Sequence, residues 1–307
     1  MPLSLDVDID AGTALDIPRG VIREMLMKED ADVVRRCHSL RVVSSDLVIT
    51  DVFDAFVEHN LSNFNPLRPH ASPLRSIHVV QTSTSRVRLA FPSDLDAVSP
   101  NLVALRVQSA GVSAYPHWHL QNVFLDGTHL SYHNHHHLFM KTCTKRLVLH
   151  RVTIPGGLPY VRRLIDPKTS TVLSLALSEL RCIGPQREHQ NLFAMFFTLT
   201  LYHNLQELEL CALPPSAVAG LIESLRPPIP LVFTELRKLT LRAVHIPSRD
   251  MVLALAQSFP ALREIELENT LEATSILVQE VWTVGAVQGV WPEVDRFVVN
   301  GESVRRR

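Results

Sequence analysis

The sequence predicts an α/β fold built as a solenoid, with parallel strands on a concave face and helices on a convex face. Two observations predict this class. A six-residue pattern, apolar at places one, four and six, occurs three times between Leu205 and Leu267 at a nearly constant interval. The intervals between the copies carry apolar stripes at helical spacing. A strand and helix of this size cannot fold alone, so the units must stack on one another.

The three clear copies read as follows: Leu205-x-x-Leu208-x-Leu210, Leu236-x-x-Leu239-x-Leu241 and Leu262-x-x-Ile265-x-Leu267. Their first residues are 31 and 26 residues apart, which leaves room for one strand and one helix per unit. Residues at places one, four and six are predicted to point inward. Those at places three, five and seven are predicted to point outward along one face of a parallel sheet.

The helices between these copies are predicted from residues spaced i, i+3, i+4 and i+7. The two stripes are Val218, Leu221, Ile222 and Leu225, and then Val252, Leu255, Ala256 and Phe259. Ser216 and Ser248 are the predicted N-caps, and Pro227 and Pro260 the predicted stops. Further helices are expected over residues 19–35, 46–58, 189–203 and 273–287.

Weaker copies of the pattern extend the array toward both ends of the chain. They begin at Cys37, Leu74, Leu102, Leu120, Thr144, Val172 and Val294, and Leu3–Val7 is a candidate opening strand. About ten repeats in a single irregular domain over residues 1–307 are therefore expected. The 18 residues from Leu102 to Leu120 are too few for a helix, so this step is predicted to run from strand through turn to strand.

The Leu-x-x-Leu-x-Leu pattern at this period resembles a leucine-rich repeat of the longer, helix-containing kind. Many such repeats have asparagine at the ninth place, where its amide bonds to the backbone of the next repeat. Here the ninth place is occupied by Ser45, Thr82, Ala110, Thr128, Val152, Leu180, Leu213, Val244 and Thr270. The resemblance therefore implies the fold without its usual asparagine ladder.

Two further stretches resemble the region after the F-box in fungal F-box and leucine-rich-repeat proteins. They are Pro2–Val7 with Arg35–Val42, and Asn101–Val107 with Leu120–Leu125. The resemblance implies the substrate-recognition part of an SCF-type ubiquitin ligase. The first forty residues contain no F-box pattern, so the F-box was either lost or lies upstream. A ubiquitin-ligase adaptor is an expected partner only in the second case.

Composition and charge exclude several classes of protein. The chain has 307 residues, is 46% hydrophobic and has a net charge of −1, which offers no global attraction for nucleic acid or an anionic membrane. The N-terminus lacks a secretory signal, and no stretch is long and apolar enough to span a membrane. Four cysteines without CxxC spacing are expected as reduced thiols. An intracellular location follows, cytoplasmic or nuclear.

No catalytic motif is present, so neither an enzyme nor a cofactor is expected. Seven histidines fall between His117 and His137, and His133 and His137 on one helix could hold zinc with Cys143 as a third ligand. A solvent-exposed polar loop and helix face is the favoured interpretation of the cluster, so no metal site is assigned. Cys211 follows a strand, but no base is placed beside it and a structural thiol is expected.

A protein partner on the concave strands is the expected ligand. The candidate contact residues are those at outward template places: Arg106, Phe124, Asp126, Arg146, His150, Glu207, Glu209, Lys238, Arg242, Glu264 and Glu266. Phe124 beside arginines is typical of a binding hot spot. The acidic, basic and acidic strands at the C-terminal end would alternatively form cross-strand ion pairs that serve the fold alone. Both roles are compatible.

The leading functional hypothesis is a non-enzymatic protein-recognition module. Its role, implied by the resemblance, is to hold a substrate while another ligase subunit performs the chemistry. A free-standing scaffold or inhibitor is the alternative hypothesis, and a metal-binding protein built on the histidine cluster is the third.

Overall fold

A computed structural model describes residues 3–8, 24, 37–44, 47–62, 73–82, 88–91, 95, 99–114, 120–129, 144–154, 171–201, 204–225, 232–288 and 291–305. The chain divides into two compact units, Met1–Thr144 and Lys145–Arg307. Each unit is α/β, and each contains a series of parallel strands in the order in which they follow along the chain. The predicted α/β class with a parallel sheet is confirmed in both.

The described residues of the first unit include seven strands and one helix with defined bounds, and Glu24 and Leu95 are also helical. They are β1 (Leu3–Asp8), β2 (Cys37–Ser44), α1 (Leu47–Ser62), β3 (Ser76–Gln81), β4 (Arg88–Ala90), β5 (Ala104–Gln108), β6 (Gly111–Ala114) and β7 (Asn122–Asp126). Strands β1, β2, β3, β5 and β7 pair in that order, all parallel. Strands β4 and β6 form a separate two-stranded parallel sheet, which the sequence pattern did not predict.

The second unit has nine strands and four α-helices among the residues the structure describes. The strands are β8 (Arg146–His150), β9 (Thr153–Ile154), β10 (Ser174–Ser178), β11 (Arg181–Cys182), β12 (Glu207–Cys211), β13 (Lys238–Arg242), β14 (Glu264–Glu268), β15 (Arg296–Val299) and β16 (Glu302–Val304). The helices are α2 (His189–Thr200), preceded by a 3₁₀ turn over Gln186–Glu188, α3 (Pro215–Leu225), α4 (Arg249–Ser258) and α5 (Glu272–Gln288).

Strands β8, β10, β12, β13, β14 and β15 pair in parallel, and β16 closes this series antiparallel to β15. The register aligns the template places of successive repeats: Leu208 lies opposite Leu239, and Leu239 opposite Ile265. These side chains are at most 1% exposed. A one-residue slip would turn every apolar side chain to the solvent face, so this burial fixes the register. All eleven predicted strands are confirmed.

Backbone hydrogen bonds join successive repeats at the turn where an asparagine ladder would otherwise lie. The eighth template place has a positive φ in seven repeats before the last, at Ser109, Gly127, Arg151, Glu179, Ala212, Ala243 and Asn269, and again at Gly301 in the last repeat. This turn points the N–H at the next repeat: Ala212 donates to the Arg242 carbonyl and Ala243 to the Glu268 carbonyl, both at 2.8 Å. At the Asn269 turn, the Asn300 side-chain oxygen accepts from the Asn269 N–H at 2.8 Å.

With the backbone bonded in this way, the ninth place is free to be apolar. Val152, Leu180, Leu213 and Val244 occupy it in four repeats and are all buried. The ninth place therefore lacks the asparagine side chain of typical leucine-rich repeats. The hydrogen bond to the next repeat is made instead by the backbone N–H of the eighth place.

The predicted helices are mostly confirmed. Ser248 caps α4, accepting from the Met251 N–H at 3.4 Å, and α1 and α5 lie at the stretches expected at 46–58 and 273–287. Helix α2 begins at His189 as predicted for 189–203, but it ends at Thr200, and Leu201 is extended. The N-cap prediction for Ser216 is wrong, because α3 begins one residue earlier at Pro215. Proline suits the first helical position since the N–H it lacks would have no partner there. Pro227 and, except for Glu24, residues 19–35 lie outside the described residues.

Helices α2 and α3 approach each other at Gly220. A Cβ at this position would lie 2.6 Å from Phe193 Cβ and 2.7 Å from the Gln190 carbonyl oxygen, so only glycine fits. In the step from Leu102 to Leu120, the described residues contain the strand β6 where the sequence predicted only a turn. None of the helices the structure describes is long and apolar enough to cross a bilayer.

Candidate functional site

We call the outward side chains at template places three, five and seven of each unit its strand face. In the second unit, strands β12 to β15 present five carboxylates and three cations there. The carboxylates are Glu207, Glu209, Glu264, Glu266 and Glu268, and the cations are Lys238, Arg242 and Arg296. Seven of these eight positions, all except Arg296, follow directly from the predicted alternation of acidic, basic and acidic strands. The face therefore has an excess of two negative charges.

Arg242 joins three strands of this face. Its guanidinium pairs with Glu209 on β12, with Nη1 3.1 Å from Oε1, and with Glu268 on β14 through Nε. The register places Glu268 directly opposite Arg242, whereas Glu209 lies opposite Thr240 and is reached diagonally. The alternative interpretation from the sequence, that these strands form cross-strand ion pairs, is thus confirmed here.

Lys238, at template place three of β13, is likewise paired with two glutamates. Its Nζ lies 3.0 Å from Glu264 Oε1 and 3.1 Å from Glu266 Oε2. Burial disfavours the Lys238 ammonium, but hydrogen bonds and charge from the two glutamates outweigh burial and raise the pKa of Lys238. Glu264 also pairs with Arg296 on β15 at 3.3 Å.

The pKa of Glu266 is lowered by the same contacts. Burial alone would raise it, but the hydrogen bond and charge of Lys238, the charge of Arg242 and a hydrogen bond from Thr240 act more strongly in the other direction. Thr240 Oγ1 donates to Glu266 Oε2 at 3.4 Å and is itself only 4% exposed. Thr240 occupies place five of β13 and was expected to face solvent. It is buried instead, between the ion-paired side chains of Glu209 and Glu266 on the neighbouring strands.

Two candidate residues of this unit remain available to a ligand. Arg146 on β8 and Glu207 on β12 are exposed, and neither makes an ion pair with any residue the structure describes. Both occupy template place three, separated by Ser174 of β10. His150 is half-buried, with Nε2 4.0 Å from Glu179 Oε1. Arg146 and Glu207 are therefore the best-placed charged groups of this face for an outside partner.

In the first unit, Arg106 and Phe124 lie in register on β5 and β7. The Arg106 guanidinium carbon is 4.5 Å from the centre of the Phe124 ring, which is cation–π geometry. Phe124 was expected to be an exposed aromatic, but it is half-buried beneath the arginine. The guanidinium of Arg106 and the ring of Phe124 therefore form one continuous surface.

The interpretation of Asp126 as a contact residue is wrong. Its side chain is 4% exposed although it occupies an outward template place. Asp126 Oδ2 accepts a hydrogen bond from Gln108 Nε2 at 3.2 Å, and Gln108 Oε1 in turn lies 2.8 Å from His78 Nε2. Asp126 therefore supports two neighbouring side chains rather than reaching a partner.

The first unit contains two surface residues that the sequence-based set missed. Arg41 on β2 and His78 on β3 occupy the same row as Arg106 and Phe124. Burial lowers the pKa of His78, the Gln108 hydrogen bond opposes this, and the charges of Arg106 and Arg41 lower the pKa further. The template that identified Arg106 would have identified both residues, had the outward places of the repeats that begin at Cys37 and Leu74 been included.

Neither metal ligation nor thiol chemistry is supported among the residues the structure describes. No group of three or more His, Cys, Asp or Glu side chains in that part of the chain could hold a metal ion. The histidine cluster falls outside it, except for the exposed His129. Cys37, Cys182 and Cys211 are free thiols, and burial raises the pKa of Cys182 to about 11, which keeps this thiol protonated at neutral pH.

No protein-family model matches the chain, and a search of the curated proteins finds no match.

Proposed function

We propose that this chain is a non-enzymatic protein-recognition module. In the proposed architecture its repeats stack as a leucine-rich-repeat solenoid, and its strand faces bind a protein partner. One observation supports the proposal most directly: Arg146 and Glu207 are exposed, have opposite charges and occupy the same template place on parallel strands. Neither makes an ion pair with the described residues. Side chains on paired strands have fixed spacing, so they offer a partner a rigid pattern of charge.

The solenoid follows from packing distances. Paired strands are about 4.8 Å apart whereas packed helices need roughly 8–10 Å. Repeats that place strands on one side and helices on the other must therefore curve, with the strands on the concave side. Ladder bonds such as that from the Ala212 N–H to the Arg242 carbonyl support this architecture because they recur from one repeat to the next.

The resemblance to F-box and leucine-rich-repeat proteins supports a particular use for such a module. The partner would be a substrate of an SCF-type ubiquitin ligase, held on the strand face while other subunits transfer ubiquitin. The ligase adaptor would bind only through an F-box upstream of the repeats. Co-precipitation of the adaptor with the full-length protein tests this use. Partner binding without the adaptor would instead favour a free-standing scaffold or inhibitor.

A charge swap tests the recognition role itself. The double variant Arg146→Glu with Glu207→Lys reverses the sign of the charge at both positions but leaves the net charge unchanged. It breaks no ion pair with the described residues. The matched control swaps two exposed charges on the helices, Glu223→Lys on α3 and Arg249→Glu on α4. Proximity labelling in cells with the wild-type chain and both variants identifies the partners, and titration with purified partner gives the affinities.

We expect partners that label with the wild-type chain and the helix control to be lost from the strand-face variant. Their affinity for that variant should fall by about tenfold or more, since charged groups at an interface are each worth on the order of 1.5 kcal/mol. The proposal is overturned if the helix control loses the partners while the strand-face variant retains them at unchanged affinity.

A further inference from the structure

The last strand of the second unit, β16, has one side with which no described strand pairs. It runs antiparallel to β15 and is the outermost strand of its sheet. Glu302, Ser303 and Arg305 are exposed, and Val304 is half-buried. An edge strand presents backbone N–H and C=O groups that can pair with a further strand. We call this side of β16 the free edge.

A tight hairpin joins β15 to β16. Its turn consists of Asn300 and Gly301, which have φ values of 49° and 85°, and a type I′ turn requires a positive φ at both positions. Val299 and Glu302 flank the turn and lie opposite each other. In a hairpin of this length the flanking residues exchange both of their backbone hydrogen bonds.

The hairpin register decides which backbone groups face the free edge. Hydrogen-bonded and non-hydrogen-bonded pairs alternate along an antiparallel ladder. Val298 and Ser303 therefore form a non-hydrogen-bonded pair, and Phe297 and Val304 form the next hydrogen-bonded pair. The N–H and C=O of Ser303 thus point away from β15, and by the same period of two those of Arg305 also face the free edge.

The free edge is held in position from the core side. Phe297 of β15 is fully buried and stacks on Trp282 of α5, with ring centroids 4.8 Å apart and planes 9° apart. At the turn, the Asn300 N–H donates to the Leu267 carbonyl, and the Asn300 side chain accepts from the Asn269 N–H, both at 2.8 Å. An incoming strand therefore meets an edge that is already ordered, which reduces the entropy cost of pairing.

We propose that the free edge pairs with the free edge of a second copy of this chain, antiparallel and about a two-fold axis at Val304. In this register Ser303 of each copy exchanges backbone hydrogen bonds with Arg305 of the other, and the two Val304 side chains meet on the axis. An axis at Ser303 would form fewer bonds, because the turn at Gly301 cannot continue the ladder. The interface is isologous, so the assembly closes as a dimer.

The charges along β16 favour a second copy in this orientation. Glu302 begins the strand and Arg305 follows it, and neither makes an ion pair with the described residues. Antiparallel pairing brings the acidic start of one copy near the basic end of the other and places Arg305 opposite the neutral Ser303. Parallel pairing of two copies would place like charges directly opposite each other, which is unfavourable.

This inference goes beyond the proposed function, because it assigns a partner to an edge of the sheet and not to a strand face. The first test is sedimentation equilibrium of the full chain over a range of concentrations. A short strand buries little surface, so we expect a reversible dimer with a dissociation constant in the micromolar range. A single monomeric species at every concentration up to several hundred micromolar would overturn the proposal.

Variants at Ser303 locate the dimer contact. Ser303→Pro removes an N–H that faces the free edge and leaves the bonds between β15 and β16 intact, a position where an edge strand tolerates proline. We expect the dimer to weaken at least about tenfold, because both copies lose a donor. The matched control Ser303→Thr keeps the N–H and should dimerise at least as tightly as the wild-type chain. Equal dimerisation of the proline variant and the wild type would contradict the contact.

Disulfide trapping tests the register and does not depend on the proline variant. In the proposed dimer the two Val304 residues form a non-hydrogen-bonded pair with Cα atoms about 4.5 Å apart, which a disulfide can span. The two Ser303 residues lie diagonally, about 7–8 Å apart. With oxidised glutathione, Val304→Cys should form the intermolecular disulfide several-fold faster than Ser303→Cys, and mass spectrometry of the linked peptides distinguishes it from bonds to the native cysteines. Equal rates for the two variants, or a dimer that links only through the native cysteines, would overturn the pairing.

Discussion

The strand faces of the two units use the same template places for opposite purposes. On the second unit each of the cations Lys238 and Arg242 lies between two glutamates. On the first unit Arg41 and Arg106 make no ion pair with the described residues, and the guanidinium of Arg106 lies over the Phe124 ring instead. The difference shows that exposed charge on a sheet does not by itself identify a binding surface. Charges satisfied by their neighbours stabilise the sheet, and charges left over are available to a partner.

The largest expected effect comes from reversing one central cation on each face. Arg242→Glu removes the contacts with Glu209 and Glu268 and places a third carboxylate between them. All three side chains are partly exposed, so we expect a loss of about 1–2 kcal/mol in the free energy of unfolding. Arg106→Glu breaks no ion pair with the described residues and should lose only the cation–π contact with Phe124, worth about 0.5–1 kcal/mol.

Urea denaturation of both variants measures this contrast. The midpoint should fall clearly for Arg242→Glu and by much less for Arg106→Glu. Equal losses would mean that the two faces contribute alike to stability, and the distinction between paired and available charge would be wrong.

A smaller effect is expected from pH, and it is specific to the second unit. The folded chain lowers the pKa of Glu266, so this carboxylate stabilises the fold above its unfolded pKa of about 4.3. That stabilisation is lost as the pH falls through the lower folded pKa. Stability measured from pH 7 down to pH 3 should therefore decline less in Glu266→Gln than in the wild-type chain.

The control for the pH series is Glu280→Gln on α5, which removes an exposed glutamate that makes no ion pair with the described residues. Its pH profile should follow that of the wild-type chain. A profile for Glu266→Gln that also follows the wild type would show that Glu266 is not held by Lys238 in solution.

The smallest effect concerns a feature that both units share, the left-handed residue at the eighth template place. Ala243 has a φ of 48°, which costs a non-glycine residue about 1 kcal/mol. Ala243→Gly removes this cost but gives the unfolded chain more freedom, so a net gain of at most about 0.5 kcal/mol is expected. Ala243→Val should instead lose at least about 1 kcal/mol, because a β-branched side chain tolerates this conformation poorly. Thermal unfolding of the three proteins should place valine lowest, and a valine variant as stable as the wild type would contradict the turn.

The strands could be predicted from the sequence because burial acts on individual places of the template. Leucines at places four and six have to point inward, and this fixes the register of residues such as Leu208 and Leu239. The small sheet of β4 and β6 could not be predicted, because a two- or three-residue pairing leaves no periodicity to detect. The backbone hydrogen bonds between repeats could not be predicted either. A positive φ at Arg151 or Glu179 has no signature in residue type.

The site could be predicted less completely than the fold. Template places identified which side chains face outward, but outward direction is not exposure. Asp126 is buried despite its outward template place, and its carboxylate accepts a hydrogen bond from Gln108. Arg41 and His78 matter only through their register with Arg106, and residues this far apart in sequence are brought together by strand pairing alone.

Carboxyl footprinting of the complex with a partner identified by proximity labelling tests the central claim most directly. A carbodiimide label modifies exposed glutamates, and mass spectrometry compares its yield in the free and bound chain. Glu207 on the strand face should be protected several-fold by the partner, while Glu223 and Glu280 on the helices should be labelled equally in both states. Protection of the helix glutamates with Glu207 unchanged would contradict recognition through the strands.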